Sequence, residues 1–221
     1  MKDFQWIYDR AAELKGEENL THLMPHVASE KTLISTPDDR YLSTMCQRIF
    51  RAGLKHSVVD AKWPDFETSY MGFHPKALAG LSDEELEVIM VGPNLIKHWG
   101  KTKAIRHNAQ WVLAISAEYD GFGRFVADWP VTDIVSLWGV MKKQAAQLGG
   151  RSGAAFLRMA GKDTFMLSQD VMVQLRALGV VPTVESTTAK RDLNSIQDAF
   201  NQWHDQSGLP MAHISRLLSF T

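Results

Sequence analysis

Apolar residues recur every three or four positions along most of the chain, the spacing that places them on one face of a helix. Near the N-terminus, Phe4, Ile7, Ala11 and Leu14 follow this spacing. No segment shows the strict alternation of apolar and polar residues that is typical of a half-buried strand. The pattern predicts an all-α fold. Without internal repeats or linkers, it favours one helical domain over residues 1–221, with two lobes around a central cleft.

Proline, glycine and capping residues predict where individual helices begin and end. Ser82 and Glu85 have the spacing of a capping box, which marks a helix start. Short helices are expected to break at Pro64 and at Gly72. A long helix is expected to begin at about Lys101, after the turn that precedes it.

A helix-hairpin-helix is predicted between residues 133 and 160. Its two helices, 133–147 and 154–160, flank a glycine-rich turn. Because glycine allows close backbone approach, such a turn can direct several N–H groups at one DNA phosphate. The turn residues expected to contact DNA are Gly149, Gly150, Arg151, Ser152 and Gly153. A plain helical hairpin capped by glycine is the alternative, and the turn alone does not decide between the two.

Composition and charge limit the classes of function. With 45% apolar and 22% charged residues the chain is typical of a globular protein, and its formal net charge of -1 gives no general attraction to nucleic acid. DNA binding therefore needs a locally basic face. The single Cys46 excludes an internal disulfide and a cysteine-rich metal site. There is no signal peptide or long apolar run, so we expect a soluble cytoplasmic protein without membrane contact.

Two stretches resemble the helix-hairpin-helix DNA glycosylases. The segment GKDTFMLSQDV, residues 161–171, is similar to the part of the alkylpurine glycosylases that carries a catalytic Asp, here Asp170. The run 45–109, with AGL at 52–54 and IKHWGKTKAIRHNA at 96–109, resembles the bacterial 3-methyladenine DNA glycosylase I family in order and spacing. The resemblance implies a two-lobed helical fold and a double-stranded DNA substrate with a damaged base.

The chain departs from that family at functional positions. The family's essential Glu is replaced by Arg48, and a family Trp is replaced by His56. The cysteines that bind zinc in the family are missing, so neither a metal nor another cofactor is expected. Asp170 is then the best remaining carboxylate, although an N-cap role at the helix 171–178 would also explain it.

The resemblance further implies contacts with DNA and with the base. Gly53 and Leu54 occupy the corner that fills the gap left by a flipped nucleotide, although Leu54 would also suit a core. Lys101 belongs to a basic run, 97–106, that either lines the DNA backbone or forms a solvated helix face. Aromatic candidates for the base pocket are Trp6, Tyr8, Trp63 and Tyr70. Trp6 is preferred because the family has a pocket Trp near its N-terminus, and it is grouped with Arg48 and His56.

The expected reaction is hydrolysis of the N-glycosidic bond of alkylated purines, as in base-excision repair. Lyase relatives place a Lys just beyond the hairpin, where this chain has Gly153, Ala154 and Ala155, while Lys162 is expected to be a surface charge. We therefore predict a monofunctional, monomeric glycosylase. The alternatives are a catalytically silent DNA-binding relative and, with less support, a helical protein-interaction scaffold.

Overall fold

The computed structural model describes residues 1–182 and 189–221, and over these residues the regular secondary structure is helical without a strand. The all-α prediction is confirmed. The α-helices in chain order are α1 (Phe4–Lys15), α2 (Glu17–Leu23), α3 (Glu30–Ser35), α4 (Asp38–Arg51), α5 (His56–Ser69), α6 (Pro75–Ala79), α7 (Asp83–Met90), α8 (Trp99–Tyr119), α9 (Phe122–Asp128), α10 (Ile134–Gln144), α11 (Arg151–Met159), α12 (Gln169–Ala177), α13 (Lys190–Ser207) and α14 (Met211–Leu218). No described helix combines the length and apolar character needed to cross a membrane.

The chain divides into two compact units. The first, here called the α8 unit, comprises Ser29–Trp129 and Trp138–Ala160. Helix α8 lies at its centre and packs against α4, α6, α7 and α9. Next to α4, Trp63 is stacked between Phe66 and Phe73, with ring centroids 4.9 and 5.2 Å away. This aromatic cluster fills the core where α4 and α5 meet.

The second unit, here called the terminal unit, comprises Met1–Ala28, Pro130–Leu137 and Gly161–Thr221. Its core contains a stacked pair, Phe165 and Phe200, whose ring centroids are 4.2 Å apart. The buried Trp203 of α13 donates its indole N–H to the carbonyl of Lys2 at 3.0 Å. That bond and the buried face of α1 tie the N-terminal residues to the C-terminal helices.

The local signals for helix boundaries are mostly confirmed. Ser82 and Glu85 form the expected capping box, and the chain breaks at Gly72, where φ is 62°. Helix α8 begins at Trp99, close to the predicted start. The break expected at Pro64 was wrong because α5 continues through it. Packing of Val59, Trp63 and Phe66 in the core outweighs the hydrogen bond that the proline removes.

The predicted hairpin is present with shifted boundaries. Its helices are α10 and α11, and the turn covers residues 145–150, three residues earlier than predicted. Gln147 lies in the left-handed region with φ 59°, which ends the first helix before the glycines are reached. Gly153 is inside α11, where an added Cβ would lie 2.9 Å from the carbonyl oxygen of Leu148. Gly153 therefore serves the close packing of the hairpin.

We predict opposite effects for two glycine-to-alanine changes in the α8 unit. A Cβ on Gly123 would lie 2.3 Å from the carbonyl oxygen of Leu33, so Gly123→Ala should force α3 and α9 apart and cost about 1–3 kcal/mol of unfolding free energy. Gly139 lies in α10 with open space around it, so Gly139→Ala should gain about 0.5–1 kcal/mol through helix propensity. Urea unfolding measures both. Equal effects of the two changes would contradict the assigned packing.

Candidate functional site

The hairpin turn is held in place by polar side chains of α8. The buried Asn108 accepts from the backbone N–H of Ala146 at 2.7 Å and donates to its carbonyl at 3.2 Å. Gln147 donates to the carbonyl of Gly100 at 2.7 Å. These bonds satisfy backbone groups that the turn leaves unpaired, so the turn has a defined position relative to the start of α8.

The glycines of the turn have different functions. Gly150, the N-cap of α11, adopts φ 59° and ψ -133°, and an added Cβ would meet no atom within 4 Å. No side chain caps this helix start, where Arg151 and Ser152 form the first turn. Gly149 has only the side chain of Lys142 near its Cβ position, at 3.4 Å. The open side of the turn, around Gly150, is therefore the part that is suited to an approaching anion.

The corner between α4 and α5 is exposed. Gly53 has φ 79° and open space around its Cβ position, and Leu54 is 42% exposed. The alternative that Leu54 belongs to the core was wrong, because α4 ends before the chain can bury it. His56, the first residue of α5, is exposed as well. The three residues offer an accessible apolar and aromatic edge.

Lys101 is buried, so it does not lie on a solvated helix face. Its side chain is 7% exposed, and its ammonium donates to the carbonyls of Phe50 at 3.1 Å and Ala52 at 2.6 Å. Burial, and next to it the positive charge of Arg48, lower the pKa of Lys101. Its ammonium therefore closes the C-terminal end of α4, where carbonyls lack helical partners.

Arg106 of the same basic run is also engaged. Its guanidinium donates to the carbonyl of Leu81 at 2.7 Å and to the carboxylate of Asp83 at 2.5 Å. These contacts tie α8 to the start of α7. Lys97 and Lys103 are exposed. The run 97–106 thus divides into two structural cations and two accessible ones.

Arg48 lies in the last turn of α4, on the helix that leads to the exposed corner. Its Nε atom is buried, and the residue makes no hydrogen bond or ion pair with any residue that the structure describes. Burial lowers the pKa of Arg48, and the charges of Arg51 and Arg151 lower it further. The α8 unit thus contains the hairpin turn, the corner, Lys101 and Arg48.

Asp170 lies in the terminal unit, as the second residue of α12. It is exposed, and it has no hydrogen bond or ion pair within the described part of the chain. Helix α12 begins two residues earlier than predicted, with Ser168 as its N-cap, accepting from the N–H of Val171 at 3.3 Å. The N-cap interpretation of Asp170 was therefore wrong, and its exposed carboxylate lies at a positive helix end.

The segment before Asp170 is anchored to α14. The carboxylate of Asp163 accepts from the N–H groups of Met211 at 3.0 Å and Ala212 at 2.8 Å, and so caps that helix. Met166 donates its N–H to the hydroxyl of Ser215 at 2.9 Å. Sequence analysis missed Asp163 because it caps a helix 48 residues away, a contact that no local motif signals. These contacts fix the backbone that presents Asp170.

The other residues that the sequence analysis singled out differ in their exposure to solvent. Trp6 of α1 is partly exposed, with the ammonium of Lys2 5.9 Å from its ring centroid, and Tyr8 is partly exposed too. Trp63 and Tyr70 are buried in the aromatic core. Lys162 was wrong as a surface charge, since it is 4% exposed.

Neither a metal site nor a reactive thiol is evident in the described residues. They contain no group of three or more His, Cys, Asp or Glu residues arranged to hold a metal ion. Cys46 is buried in α4, and burial together with the charge of Glu67 raises the pKa of its thiol. Its side chain is therefore a core residue.

The sequence profile of the methyladenine glycosylase family matches residues 32–149, just over half of the chain. The chain therefore belongs to the methyladenine glycosylase family, and the predicted class, a DNA glycosylase of base-excision repair, is confirmed at the level of the family. The matched region includes α3 to α10 and the corner at Gly53, and it ends at Gly149. Arg151 and Asp170 lie beyond it. No curated protein sequence matches the chain significantly.

Solved structures show the same fold at low sequence identity. The 3-methyladenine DNA glycosylase I of Staphylococcus aureus is 20% identical with a TM-score of 0.52, covering 69% of this chain and 91% of that protein. The 8-oxoguanine DNA glycosylase of Methanocaldococcus jannaschii is 14% identical with a TM-score of 0.57, covering 96% and 91%. A structure of the latter enzyme, described as a glycosylase/lyase, contains a 15mer DNA with 8-oxoguanine. It is 11% identical, with a TM-score of 0.55 and coverages of 97% and 96%.

We predict that Lys101→Met destabilises the α8 unit. Two buried carbonyls at the end of α4 would lose their donor, which should cost about 1–3 kcal/mol of unfolding free energy. Lys103→Met is the matched control, because Lys103 is exposed on the same helix with its ammonium 5.3 Å from the ring of Trp99. Chemical unfolding of both variants measures the difference. A Lys101 variant as stable as wild type would show that these bonds contribute nothing.

Proposed function

We propose that this protein hydrolyses the N-glycosidic bond of alkylated purines in double-stranded DNA, with Asp170 as the catalytic carboxylate. The observation that carries the proposal is an exposed carboxylate at the start of α12, which has no partner among the described residues and lies beside a helix end that Ser168 already caps. A carboxylate that neither caps the helix nor pairs with a cation is available to a substrate. The anchoring of the preceding segment by Asp163 supports a fixed position for it.

The chemistry requires one well-placed negative charge. As the bond between C1′ and the base nitrogen breaks, its electron pair leaves with the purine and positive charge develops on the sugar. Asp170 stabilises that charge and orients a water, whose oxygen bonds to C1′ while its proton is released. An alkylated, cationic purine leaves as a neutral base and needs little help from an acid.

Water is the proposed nucleophile because no amine is available beyond the hairpin. Gly153, Ala154 and Ala155 carry none, and Lys162 is buried. On the DNA side, we propose that the open edge at Gly150 binds a backbone phosphate and that the corner at Gly53 and Leu54 fills the gap left by the flipped nucleotide. Trp6 and His56 remain predicted pocket residues that follow from the resemblance.

A catalytically silent DNA-binding protein is the second candidate. The observation that favours it is Arg48, a cation at the position where the resembling family has its essential Glu. A single measurement distinguishes the two candidate functions, namely the release of free base from alkylated duplex DNA. Release by the wild-type protein supports the enzyme, and binding of the duplex without release supports the silent relative.

The central prediction concerns Asp170→Asn. Removing the charge should lower the single-turnover rate of 3-methyladenine release by about a hundredfold or more, since preorganised charge next to a developing cation is lost. Folding and DNA affinity should be unchanged because Asp170 has no partner in the described structure. Rates are measured by chromatography of free base from methylated duplex DNA.

Asp163→Ala is the control for this experiment. It removes a carboxylate seven positions away in sequence that caps α14, so it should lower the unfolding free energy by about 1 kcal/mol. Below the melting range it should reduce base release much less than Asp170→Asn does, because the negative charge of Asp170 is retained. If Asp170→Asn released base at the wild-type rate, the catalytic assignment would be wrong.

A further prediction concerns the hairpin. Gly150→Ala places a side chain on the open edge of the turn at a backbone conformation suited to glycine, and so should weaken binding to all duplex sequences alike. Gly208→Ala is the control, because Gly208 also has positive φ (68°) and open space but caps α13. Fluorescence anisotropy with duplexes of different sequence measures the affinity. Unchanged affinity of the Gly150 variant would make the turn purely structural.

A further inference from the structure

Arg48 is a partly buried cation without a hydrogen-bond or ion-pair partner among the described residues. It lies in the last turn of α4 with its Nε atom buried, and no described residue accepts a hydrogen bond from it. Acidic residues are present nearby in sequence but are engaged elsewhere. Asp60 pairs with Arg51 at 2.7 Å, and Glu67 pairs with Arg40 at 3.0 Å. An unpaired guanidinium in such a place is costly unless an anion from outside the chain binds it.

The contacts around Arg48 bring further cations to the same place. Lys101 binds the carbonyls of Phe50 and Ala52, one turn from Arg48. The guanidinium of Arg51 lies 3.5 Å from the sulfur of Met159, in α11, so the end of α4 packs on the helix that Arg151 begins. The charges of Arg51 and Arg151 both lower the pKa of Arg48, which agrees with this proximity.

The hairpin turn belongs to the same cluster. Gln147 bonds to Gly100, beside Lys101, and α11 begins at Arg151 without a side-chain cap. Uncapped backbone N–H groups and guanidinium groups therefore occur together, next to the exposed corner at Gly53 and Leu54. This combination of groups is suited to a phosphate, whose oxygens accept from guanidinium and backbone N–H groups alike.

We propose that Arg48, together with Arg51 and Arg151, binds a phosphodiester group of the DNA backbone. This inference rests on the proposed function only for its assumption that duplex DNA is the ligand. It assigns Arg48 to a phosphate and not to the base pocket, because a cationic purine would be repelled by this cluster. The planar guanidinium binds two phosphate oxygens at once, which an ammonium does not do.

The test uses a duplex with a tetrahydrofuran abasic-site analogue, which has no base and cannot be cleaved by a glycosylase. Arg48→Met should weaken binding by about tenfold, since charge-assisted hydrogen bonds are lost. It should also lower the slope of log Kd against log salt by about 0.9, the value for one phosphate contact. Arg124→Met is the matched control, because Arg124 is exposed on α9 and should leave both quantities unchanged.

A second duplex, with an alkylated base, separates a phosphate contact from a base contact. If Arg48→Met weakens binding to this duplex but not to the abasic analogue, Arg48 contacts the base and the proposal is overturned. Loss of affinity without a change in salt slope, or an equal loss in Arg124→Met, overturns it as well. Arg48→Lys should keep the salt slope and recover only part of the affinity. Thermal melting of each variant establishes that it is folded.

A free anion is distinguished by adding inorganic phosphate. Phosphate at millimolar concentration should compete weakly with the duplex for wild-type protein, and much less for Arg48→Met. If phosphate raises the melting temperature of wild type while Arg48→Met binds the duplex normally, the cluster holds a small anion and the DNA assignment is wrong. Because none of these measurements follows base release, an inactive protein that binds DNA through Arg48 would refute the proposed enzyme and leave this inference intact.

Discussion

The buried polar side chains of α8 are the constraint on which the α8 unit depends. Asn108 bonds to both backbone groups of Ala146, and Lys101 bonds to two carbonyls at the end of α4. Buried polar groups are costly when they lack hydrogen-bond partners. These bonds therefore restrict the hairpin turn and α4 to a narrow range of positions relative to α8. An apolar contact would fix these elements less strictly, since hydrophobic burial has no direction. The placement of the turn next to the corner at Gly53 follows from this constraint.

Two aspartates of the terminal unit differ in their hydrogen bonds, although they carry the same chemical group. Asp163 and Asp170 both stand near a helix start. Asp163 accepts hydrogen bonds from two N–H groups of α14. Ser168 caps α12, and Asp170 has no partner among the described residues. The carboxylate of Asp170 therefore remains exposed in the first turn of α12. Such a charge is the kind of group that a developing sugar cation needs.

Positive charge is concentrated at one place in the chain, although its net charge is close to zero. A net charge of -1 conceals a cluster of Arg48, Arg51, Lys101 and Arg151 around the end of α4. The cluster persists because some of its charges are satisfied internally, by helix carbonyls for Lys101 and by Asp60 for Arg51. Arg48 has no such partner in the described residues. A partly buried cation at this place favours an anion over a cationic base.

The sequence by itself determined the helical class, the hairpin, the capping box at Ser82 and the family, because each depends on local spacing or on short motifs. It also predicted that Asp170 lies near a helix start, although it did not identify the residue that caps α12. Only the tertiary structure decided which charged side chains are buried and which groups they bond to. Lys101 and Lys162 are buried, and α5 continues through Pro64. Burial and hydrogen-bond partners come from residues far apart in the chain, as with Asp163 and Met211, and no local pattern encodes such contacts.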